Sequence, residues 1–196
     1  MNSTEASQPD PAPLRQFFRS WVQNPLAIGA VAPSGRTLAK LMVKGVRADA
    51  RVMELGPGTG TVTRAILDSG VEERNLYLVE RDAGFSRLLR ERFPRATVLH
   101  EDATVVAAHT RELAGTFDFI VSGLPLVLFS RAQKERLLAQ VLSLLKPTGA
   151  FHQFTYGGRC PIRRSVRDAL GLDKVLLGIA PFNVPPAFVY RLCRAV

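Results

Sequence analysis

The sequence has few of the residues that build covalent or metal-bound scaffolds. Its 196 residues include two cysteines, three histidines and one tryptophan. Cys160 and Cys193 lie far apart, and no Cys or His stands at metal-ligand spacing. We therefore expect neither a disulfide framework nor a metal site.

Long hydrophobic runs are also missing. No apolar stretch approaches the roughly 18 to 20 residues that a membrane-spanning helix needs. The first 13 residues are polar and contain three prolines, without the basic and apolar regions of a secretory signal. A cytoplasmic protein without a membrane-spanning segment is the resulting expectation.

Acidic residues are scarce on both flanks of the chain. Lys and Arg number 26 against 17 Asp and Glu, which gives a net charge of +9. Residues 11–48 contain six basic residues and no acid, residues 49–158 are balanced, and residues 159–196 are again basic. Such an asymmetry favours a polyanionic partner, either phospholipid or nucleic acid.

Short apolar runs alternate with helical patterns through the middle of the chain. This alternation predicts an α/β fold with a mostly parallel sheet and crossover helices. The predicted strands cover 51–55, 75–80, 97–101, 117–122, 149–155, 174–180 and 187–193, the last two forming an antiparallel pair at the sheet edge. The predicted helices cover 59–67, 83–92 and 131–145, the last with Ser130 and Gln133 as a capping box.

A glycine-rich turn follows the first predicted strand, in the sequence Glu54-Leu55-Gly56-Pro57-Gly58-Thr59-Gly60. Glycines at a strand-to-helix turn let a ligand come close to the backbone, where the N-terminal amides of the helix face it. A dinucleotide fingerprint would have Gly or Ala where Thr61 stands, and no Walker sequence follows. The turn therefore predicts a site for a different ligand.

Carboxylates end the next two predicted strands. Glu80 stands 24 residues after Gly56, where this type of fold places a carboxylate beside a ribose. Asp102 follows the third strand and can reach an exocyclic adenine amine; the alternative is that it only caps the next helix.

Together these motifs resemble those of class I S-adenosylmethionine-dependent methyltransferases. The resemblance implies a Rossmann-like, seven-stranded, mostly parallel sheet with helices on both faces. It places Glu80 at the ribose and Asp102 at the adenine, and Glu54 beside the glycine loop or the methionine ammonium. The cofactor-binding set that it implies is completed by Gly56, Gly58, Thr59, Gly60, Arg81, Ala103, Ser122, Gly123 and Leu124.

The end of the fourth strand bears on the methyl acceptor. Enzymes that methylate the adenine amine usually carry Asn or Asp there, then two residues ending in Pro, then an aromatic. This sequence has Gly123 in the polar position and Leu126 where the stacking ring belongs. A flipped base would lose a platform commonly worth about 1 to 3 kcal/mol. The departure weighs against a nucleobase acceptor.

Residues 14–23 form an amphipathic helical pattern. Phe17, Phe18 and Trp21 fall on one face, and Arg15 and Arg19 on the other. Aromatics opposite arginines are typical of a helix lying in a lipid interface, although a helix packing on its own domain shows the same pattern.

From about residue 14 to its end, the chain resembles the soluble bacterial phosphatidylethanolamine N-methyltransferases. The segments that carry the resemblance are 17–25, 29–34, 54–60, 122–125, 153–157 and 183–191. The resemblance implies an anionic phospholipid surface and phosphatidylethanolamine as partners, no nucleic acid, and peripheral attachment to the inner face of the cytoplasmic membrane. It divides the chain into a disordered tail (1–13), membrane-binding and lid helices (14–48) and a cofactor-binding domain (49–196), with Gly29, Ala32 and Ser34 over the methyl donor.

Tyr156 ends the fifth predicted strand, beside the tip of the fourth, and is the candidate catalytic residue. Its hydroxyl can orient the acceptor amine or accept its proton, or it can be a core tyrosine. Tyr156, Phe129 and Tyr190 offer rings for a methylated ammonium. Arg36 is a candidate for lipid phosphate.

Two other functions stay open at this stage. One keeps the cofactor and takes RNA adenine as the acceptor, with the basic flanks following the phosphates. The other is a module that binds S-adenosylmethionine or membrane without turnover.

Overall fold

Seven strands form one sheet in the computed structural model, which describes residues 33–156, 158–183 and 185–195. The strands are β1 (Val52–Leu55), β2 (Leu76–Val79), β3 (Thr97–Leu99), β4 (Phe117–Ser122), β5 (Leu145–Tyr156), β6 (Leu172–Ala180) and β7 (Ala187–Arg194). Their order across the sheet is β3-β2-β1-β4-β5-β7-β6. Strands β1 to β5 are parallel, and β7 runs antiparallel to both β5 and β6. The predicted fold class and the antiparallel edge pair are confirmed.

Helices cover both faces of this sheet. They are α1 (Pro33–Met42), α2 (Thr61–Asp68), α3 (Ala83–Arg92), α4 (Val106–His109), α5 (Arg131–Leu144) and α6 (Arg164–Ala169). In the described part of the chain, none of these helices has the length and apolar character needed to cross a membrane.

The central strands are apolar throughout because both of their faces are buried. Successive side chains of a strand point to opposite faces. Met53 and Leu55 of β1 therefore pack with α4 and α5 around Phe117, whereas Val52 packs on the other face with Phe93 and the helices α1 to α3. The two apolar layers fix the sheet between the helices and leave its carboxyl edge open for a site.

Helix α5 begins as its sequence predicts. Ser130 Oγ accepts from the Gln133 amide, and the Gln133 side chain accepts from the Ser130 amide, so the predicted capping box is confirmed. The strand that follows starts earlier than predicted. Leu145 already pairs with Phe117, and a register shift in this ladder accommodates the turn residues before Ala150.

Helix α1 and the turn that follows it are joined to the far half of the sheet by two long-range hydrogen bonds. His152 Nδ1 of β5 donates to the Met42 carbonyl at 2.8 Å, and Lys44 Nζ donates to the Leu177 carbonyl at 3.1 Å. Burial lowers the pKa of His152 to about 4, so its ring is neutral at physiological pH. These contacts place α1 beside the carboxyl edge of β5.

Candidate active site

A cavity of about 970 Å³ opens at the carboxyl ends of the parallel strands. Ligand sites of open α/β sheets lie at this edge, because the strand-to-helix loops and helix amides meet there. One wall comes from the loops after β1, β2 and β3, and the opposite wall from α1 and the ends of β5 and β6. The volume lies at the upper end of the range of roughly 300 to 1,000 Å³ that is usual for ligand pockets.

The glycine loop is held open by Glu80. The Gly58 amide donates to Glu80 Oε2 at 3.0 Å, and the Asp82 amide donates to Oε1 at 2.9 Å. A carboxylate has about four acceptor positions, so these two bonds leave lone pairs for ribose hydroxyls. Gly58 has a φ of 56°, and no atom lies within 4 Å of the place where its Cβ would stand. A side chain there would both strain the backbone and occupy ligand space.

Glu54 lies at the floor of the cavity with only 1% of its surface exposed. Thr63 Oγ1 of α2 donates to Glu54 Oε2 at 2.6 Å. Burial raises the pKa of Glu54 to about 8, and the nearby charge of Glu80 adds to the rise. The Glu54 carboxyl group is therefore mostly protonated at neutral pH, and a ligand cation such as an amino-acid ammonium would favour its charged form.

Asp102 combines the two roles that its sequence position allows. Its Oδ1 accepts from the Thr104 amide at 2.8 Å and the Thr104 hydroxyl at 2.7 Å, which fixes the turn before α4. Partial burial opposes ionisation, but the Thr104 bonds and the charges of Arg81 and Arg136 outweigh it and lower the pKa of Asp102. The ionised carboxylate still lines the cavity and can accept from an adenine amine.

The loop after β4 presses against the glycine loop. The Gly123 amide donates to the Leu55 carbonyl at 2.8 Å, and a Cβ at Gly123 would lie 2.7 Å from the Gly56 carbonyl oxygen. No asparagine or aspartate fits at this position without separating the two loops. Leu126, at the position of the stacking ring, is 1% exposed and packs in the core. Both departures from the adenine-methylating pattern are therefore built into the packing.

Aromatic and polar side chains meet at the other end of the cavity. The rings of Phe154 and Tyr156 pack edge to face, with centroids 5.4 Å apart. Burial raises the pKa of Tyr156, and a hydrogen bond from the Asn183 side chain partly opposes this. Phe182, 83% exposed, borders the opening. This end combines apolar surface with a few hydrogen-bonding groups.

Most of the predicted site residues within the described ranges meet in this one cavity. Those that line it are Glu54, Gly56, Gly58, Thr59, Glu80, Arg81, Asp102, Ala103, Gly123, Leu124, Phe129 and Tyr156. Ser34 and Arg36 belong to α1, with Arg36 exposed to solvent. The remaining predicted residues lie outside the described ranges: Arg15, Phe17, Phe18, Arg19, Trp21, Gly29 and Ala32.

Three predicted site residues lie behind the cavity instead of in its wall. Ser122 is buried, and its hydroxyl accepts from the Leu124 amide at 3.3 Å, so it shapes the loop. Gly60 begins α2 and packs against Phe93. The ring of Tyr190 is 4% exposed, and its hydroxyl donates to the Gly158 carbonyl at 2.6 Å. This corrects the expectation that Tyr190 offers its ring to the acceptor.

Sequence reasoning missed the residues that arrive through tertiary contacts. Leu38 and Met42 of α1 line the cavity, as do Phe182 and Asn183 of the β6–β7 connection. Thr63, which donates to Glu54, could have been found from the sequence, because it is a hydroxyl residue in the first turn of the helix that follows the glycine loop.

The residues of this cavity fit S-adenosylmethionine. The open space at Gly58 admits a ligand close to the backbone, and five acidic residues line the cavity, among them Glu54, Glu80 and Asp102. Glu54 suits the ammonium, Glu80 the ribose and Asp102 the adenine amine.

Comparison with known proteins agrees with this geometry. Residues 52–149 match the family model described as a methyltransferase domain. The chain is 34% identical to the ornithine lipid N-methyltransferase of Singulisphaera acidiphila, over 92% of this chain and 95% of that one. It is 31% identical to the ribosomal RNA small subunit methyltransferase A of a Synechococcus strain, over 69% of this chain but only 49% of that one.

Solved structures share the fold at low sequence identity. A Burkholderia thailandensis 1,6-didemethyltoxoflavin-N1-methyltransferase with bound S-adenosylhomocysteine matches with a TM-score of 0.67 and 16% identity, over 100% of this chain and 94% of that one. The glycopeptide N-methyltransferase MtfA, complexed with sinefungin, matches with a TM-score of 0.63 and 19% identity, over 87% of this chain and 98% of that one. The glycine loop, its carboxylates and these matches together show that the chain belongs to the methyltransferase-domain family and is an S-adenosylmethionine-dependent methyltransferase.

Proposed function

We propose that this enzyme methylates the amine of a membrane lipid at the membrane surface. The observation that carries the proposal is the acceptor end of the cavity, where apolar side chains and the Tyr156–Asn183 pair stand in place of a base-reading motif. The similarity to an ornithine lipid N-methyltransferase over nearly the whole of both chains supports it. The sequence resemblance favours phosphatidylethanolamine among such lipids.

The chemistry is a direct displacement. Bound S-adenosylmethionine supplies a methyl group on a positively charged sulfur. The neutral amine nitrogen of the lipid forms a bond to the methyl carbon, and the carbon–sulfur bond breaks with its electron pair going to sulfur. A primary or secondary amine then releases a proton to water, whereas a tertiary amine becomes a quaternary ammonium with no proton to release. The protein's main contribution is to hold the amine in line within a pocket that excludes bulk water.

Tyr156 is the candidate for the positioning of that amine. Tyr156 ends β5 and lines the cavity, as Gly123 does. Since burial raises its pKa, the hydroxyl is neutral at pH 7 and acts as a hydrogen-bonding group or a relay to water. The edge-to-face Phe154 ring keeps the Tyr156 ring in place and adds an aromatic face for a methylated ammonium.

Membrane attachment belongs to the same proposal. The amphipathic pattern of residues 14–23 places aromatics opposite Arg15 and Arg19, and residues 11–48 contain no acid. Each basic residue near an anionic bilayer contributes roughly 1 kcal/mol of attraction. In this proposal the N-terminal segment holds the enzyme on the surface that contains its acceptor.

Transfer of labelled methyl groups tests the acceptor directly. Purified enzyme would be incubated with labelled S-adenosylmethionine and, in separate reactions, vesicles of phosphatidylglycerol alone, with phosphatidylethanolamine or with ornithine lipid. We expect label only in the amine-containing lipids, with the better of the two naming the acceptor. Absence of label from both lipids, while the enzyme still binds the cofactor, would contradict the proposal.

RNA adenine is the second candidate acceptor, because four ribosomal RNA methyltransferases resemble parts of this chain. The contact between Gly123 and the Gly56 carbonyl argues against it, since the usual polar side chain does not fit there. A parallel reaction with small-subunit ribosomal RNA decides the question. Label in RNA and not in lipid would show that the acceptor is RNA and would refute the proposed methylation of a lipid amine.

A further inference from the structure

Asn183 lies at the acceptor end of the cavity, on the connection between β6 and β7. Strand β6 ends at Ala180, which pairs with Ala187, and Ala187 also pairs with Tyr156 at the end of β5. The connection that contains Asn183 is therefore brought to the carboxyl edge of the sheet, next to Tyr156. Asn183 lines the cavity there.

The two ends of the Asn183 amide are in different situations. Its N–H group donates to the Tyr156 hydroxyl oxygen, which is why this bond lowers the pKa of Tyr156 against the effect of burial. Its Oδ1 is buried and has no hydrogen-bond partner among the residues that the structure describes. A buried acceptor without a donor costs free energy, because it has lost its hydrogen bonds to water. We therefore expect this oxygen to accept from a donor that is not among the described residues.

The chemistry of that donor follows from the setting. The same cavity is lined by the rings of Phe154, Tyr156 and Phe182 and by apolar side chains of α1, and no residue that the structure describes donates to Oδ1. An amine nitrogen held beside the Tyr156 hydroxyl would bring N–H groups to this place. An amide oxygen accepts such a group without adding a charge to the pocket.

We infer that Asn183 is a specificity-determining residue that recognises an N–H of the acceptor amine through Oδ1. The inference rests on the proposed lipid N-methylation and adds to it a dependence on how many methyl groups the nitrogen already has. A neutral primary amine has two N–H groups, its monomethyl derivative one and its dimethyl derivative none. Asn183 therefore favours the first and second transfers, in which the acceptor has an N–H group, and makes no hydrogen bond to the acceptor in the third.

A purely structural role for Asn183 predicts a different pattern. If its amide only held the Tyr156 hydroxyl and the connection in place, its loss would slow all three transfers by a similar factor. Recognition of N–H makes the effect depend on the substrate. The comparison of successive methylation steps therefore separates the two roles.

The test measures single methyl transfers to vesicles that contain phosphatidylethanolamine, its N-methyl derivative or its N,N-dimethyl derivative. Asn183→Leu removes the acceptor at similar volume, and Asn183→Asp keeps an oxygen there. Asp173→Asn, at the exposed far end of β6, is the control for a carboxyl–amide exchange. Binding of S-adenosylhomocysteine and the melting temperature show whether each variant is folded.

We expect Asn183→Leu to lower kcat/KM about 3- to 10-fold for the first two acceptors, the usual worth of one hydrogen bond. The dimethyl acceptor should react within 2-fold of the wild-type rate, roughly the limit of such a comparison. Asn183→Asp should retain the wild-type order of the three acceptors, and Asp173→Asn should match the wild type throughout.

Equal slowing of all three transfers by Asn183→Leu, or no slowing of any, would overturn the inference. If the leucine variant fails to bind S-adenosylhomocysteine, Asn183→Ser repeats the measurement with a shorter side chain, and the same pattern is required of it. Should wild-type enzyme methylate ornithine lipid instead, its own methylated series replaces the three lipids. A wild type that methylates no amine lipid refutes the proposed function itself, and this inference with it.

Discussion

At the residue scale, the buried carboxyl of Glu54 makes the stability of the protein depend on pH. Its pKa is about 8 in the folded protein, above the ordinary value of 4.5, mainly because burial disfavours the charged form. Between these values the folded state holds a proton that the unfolded state has released. The free energy of unfolding therefore falls as the pH rises from 4.5 to 8.

Glu54→Gln should remove that dependence, since glutamine is neutral at every pH. At about pH 8.5 we expect the variant to have a higher melting temperature than the wild type. Each kcal/mol by which the substitution raises the free energy of unfolding should raise the melting temperature by about 2 to 4 °C. At about pH 4 the difference should vanish. Glu72→Gln, an exposed partner of Arg74, is the control. A constant difference at both pH values would show that Glu54 is not protonated in the fold.

Gly58→Val should abolish cofactor binding, because the side chain enters ligand space and the φ of 56° strains any residue other than glycine. The wild type should bind S-adenosylhomocysteine in the micromolar range, which is roughly 7 to 8 kcal/mol. Gly115→Val is the matched control, since Gly115 has a φ of 64° with similar open space but lies away from the cavity. Calorimetry measures both. Retained affinity in Gly58→Val would place the cofactor elsewhere.

Tyr156→Phe removes only the hydroxyl at the acceptor end. We expect turnover to fall by a factor of about 10² to 10⁴, the usual range for a positioned acid or base, with unchanged affinity for S-adenosylhomocysteine. Full activity in Tyr156→Phe with a loss in Tyr156→Ala would assign the role to the ring. If both variants transfer methyl at the wild-type rate, Tyr156 takes no part in catalysis.

The candidate site divides into residues that the sequence predicts and residues that it does not. Gly58, Glu80 and Asp102 stand at fixed distances after predicted strands, and parallel strands bring their carboxyl ends together. Leu38 and Asn183 reach the site from a helix face and a strand connection. Asn183 begins one of the segments that carry the family resemblance, but no residue pattern marks either of them as a site residue. Local spacing therefore predicts the cofactor end better than the acceptor end.

At the element scale, the same distinction holds for the fold. Helix α5 has a capping box and a period of apolar residues, so its start is readable from the sequence alone. The start of β5 is not, because Lys146 to Gly149 read as a turn and become strand only through pairing with β4. Helix α1 is placed by its contacts with β5 and β6, which its own sequence does not reveal.

His152 links α1 to the sheet and should make that link sensitive to acid. Its pKa of about 4 lies below the ordinary value of 6.5 because burial disfavours the cation. The unfolded state therefore takes up a proton first as the pH falls from 6.5 to 4, and stability is lost over this window.

His152→Gln should make the melting temperature depend less on pH below 6.5, because glutamine does not take up a proton. At neutral pH it should lower the melting temperature, because the fit against Met42 and Phe119 is lost. Thermal unfolding from about pH 4 to about pH 8 measures both effects, with His100→Gln as the control, since His100 is exposed and its side chain, within the described ranges, hydrogen-bonds only to the Arg81 carbonyl. A parallel curve, with no change in slope below pH 6.5, would exclude His152 as the titrating group.

At the scale of the whole molecule, the basic flanks make membrane binding testable without turnover. Removal of residues 1–23 should abolish flotation with anionic vesicles while leaving the described fold, whose first helix starts at Pro33. The binding of the full chain should weaken as salt is raised, because screening shortens the reach of its charges. Undiminished flotation of the truncated protein would show that the amphipathic segment only packs on its own domain.

Strand β6 forms one margin of the sheet, and its outer backbone groups meet no further strand among the described residues. Val175, 50% exposed, adds apolar surface to this margin. Such a margin is a template for uncontrolled strand addition, the first step of aggregation. The register shift between Leu176 and Gly178 interrupts the template, and the Lys44 ammonium occupies the Leu177 carbonyl within it. An irregular margin with one carbonyl already bonded is a poorer template for an added strand than a regular one.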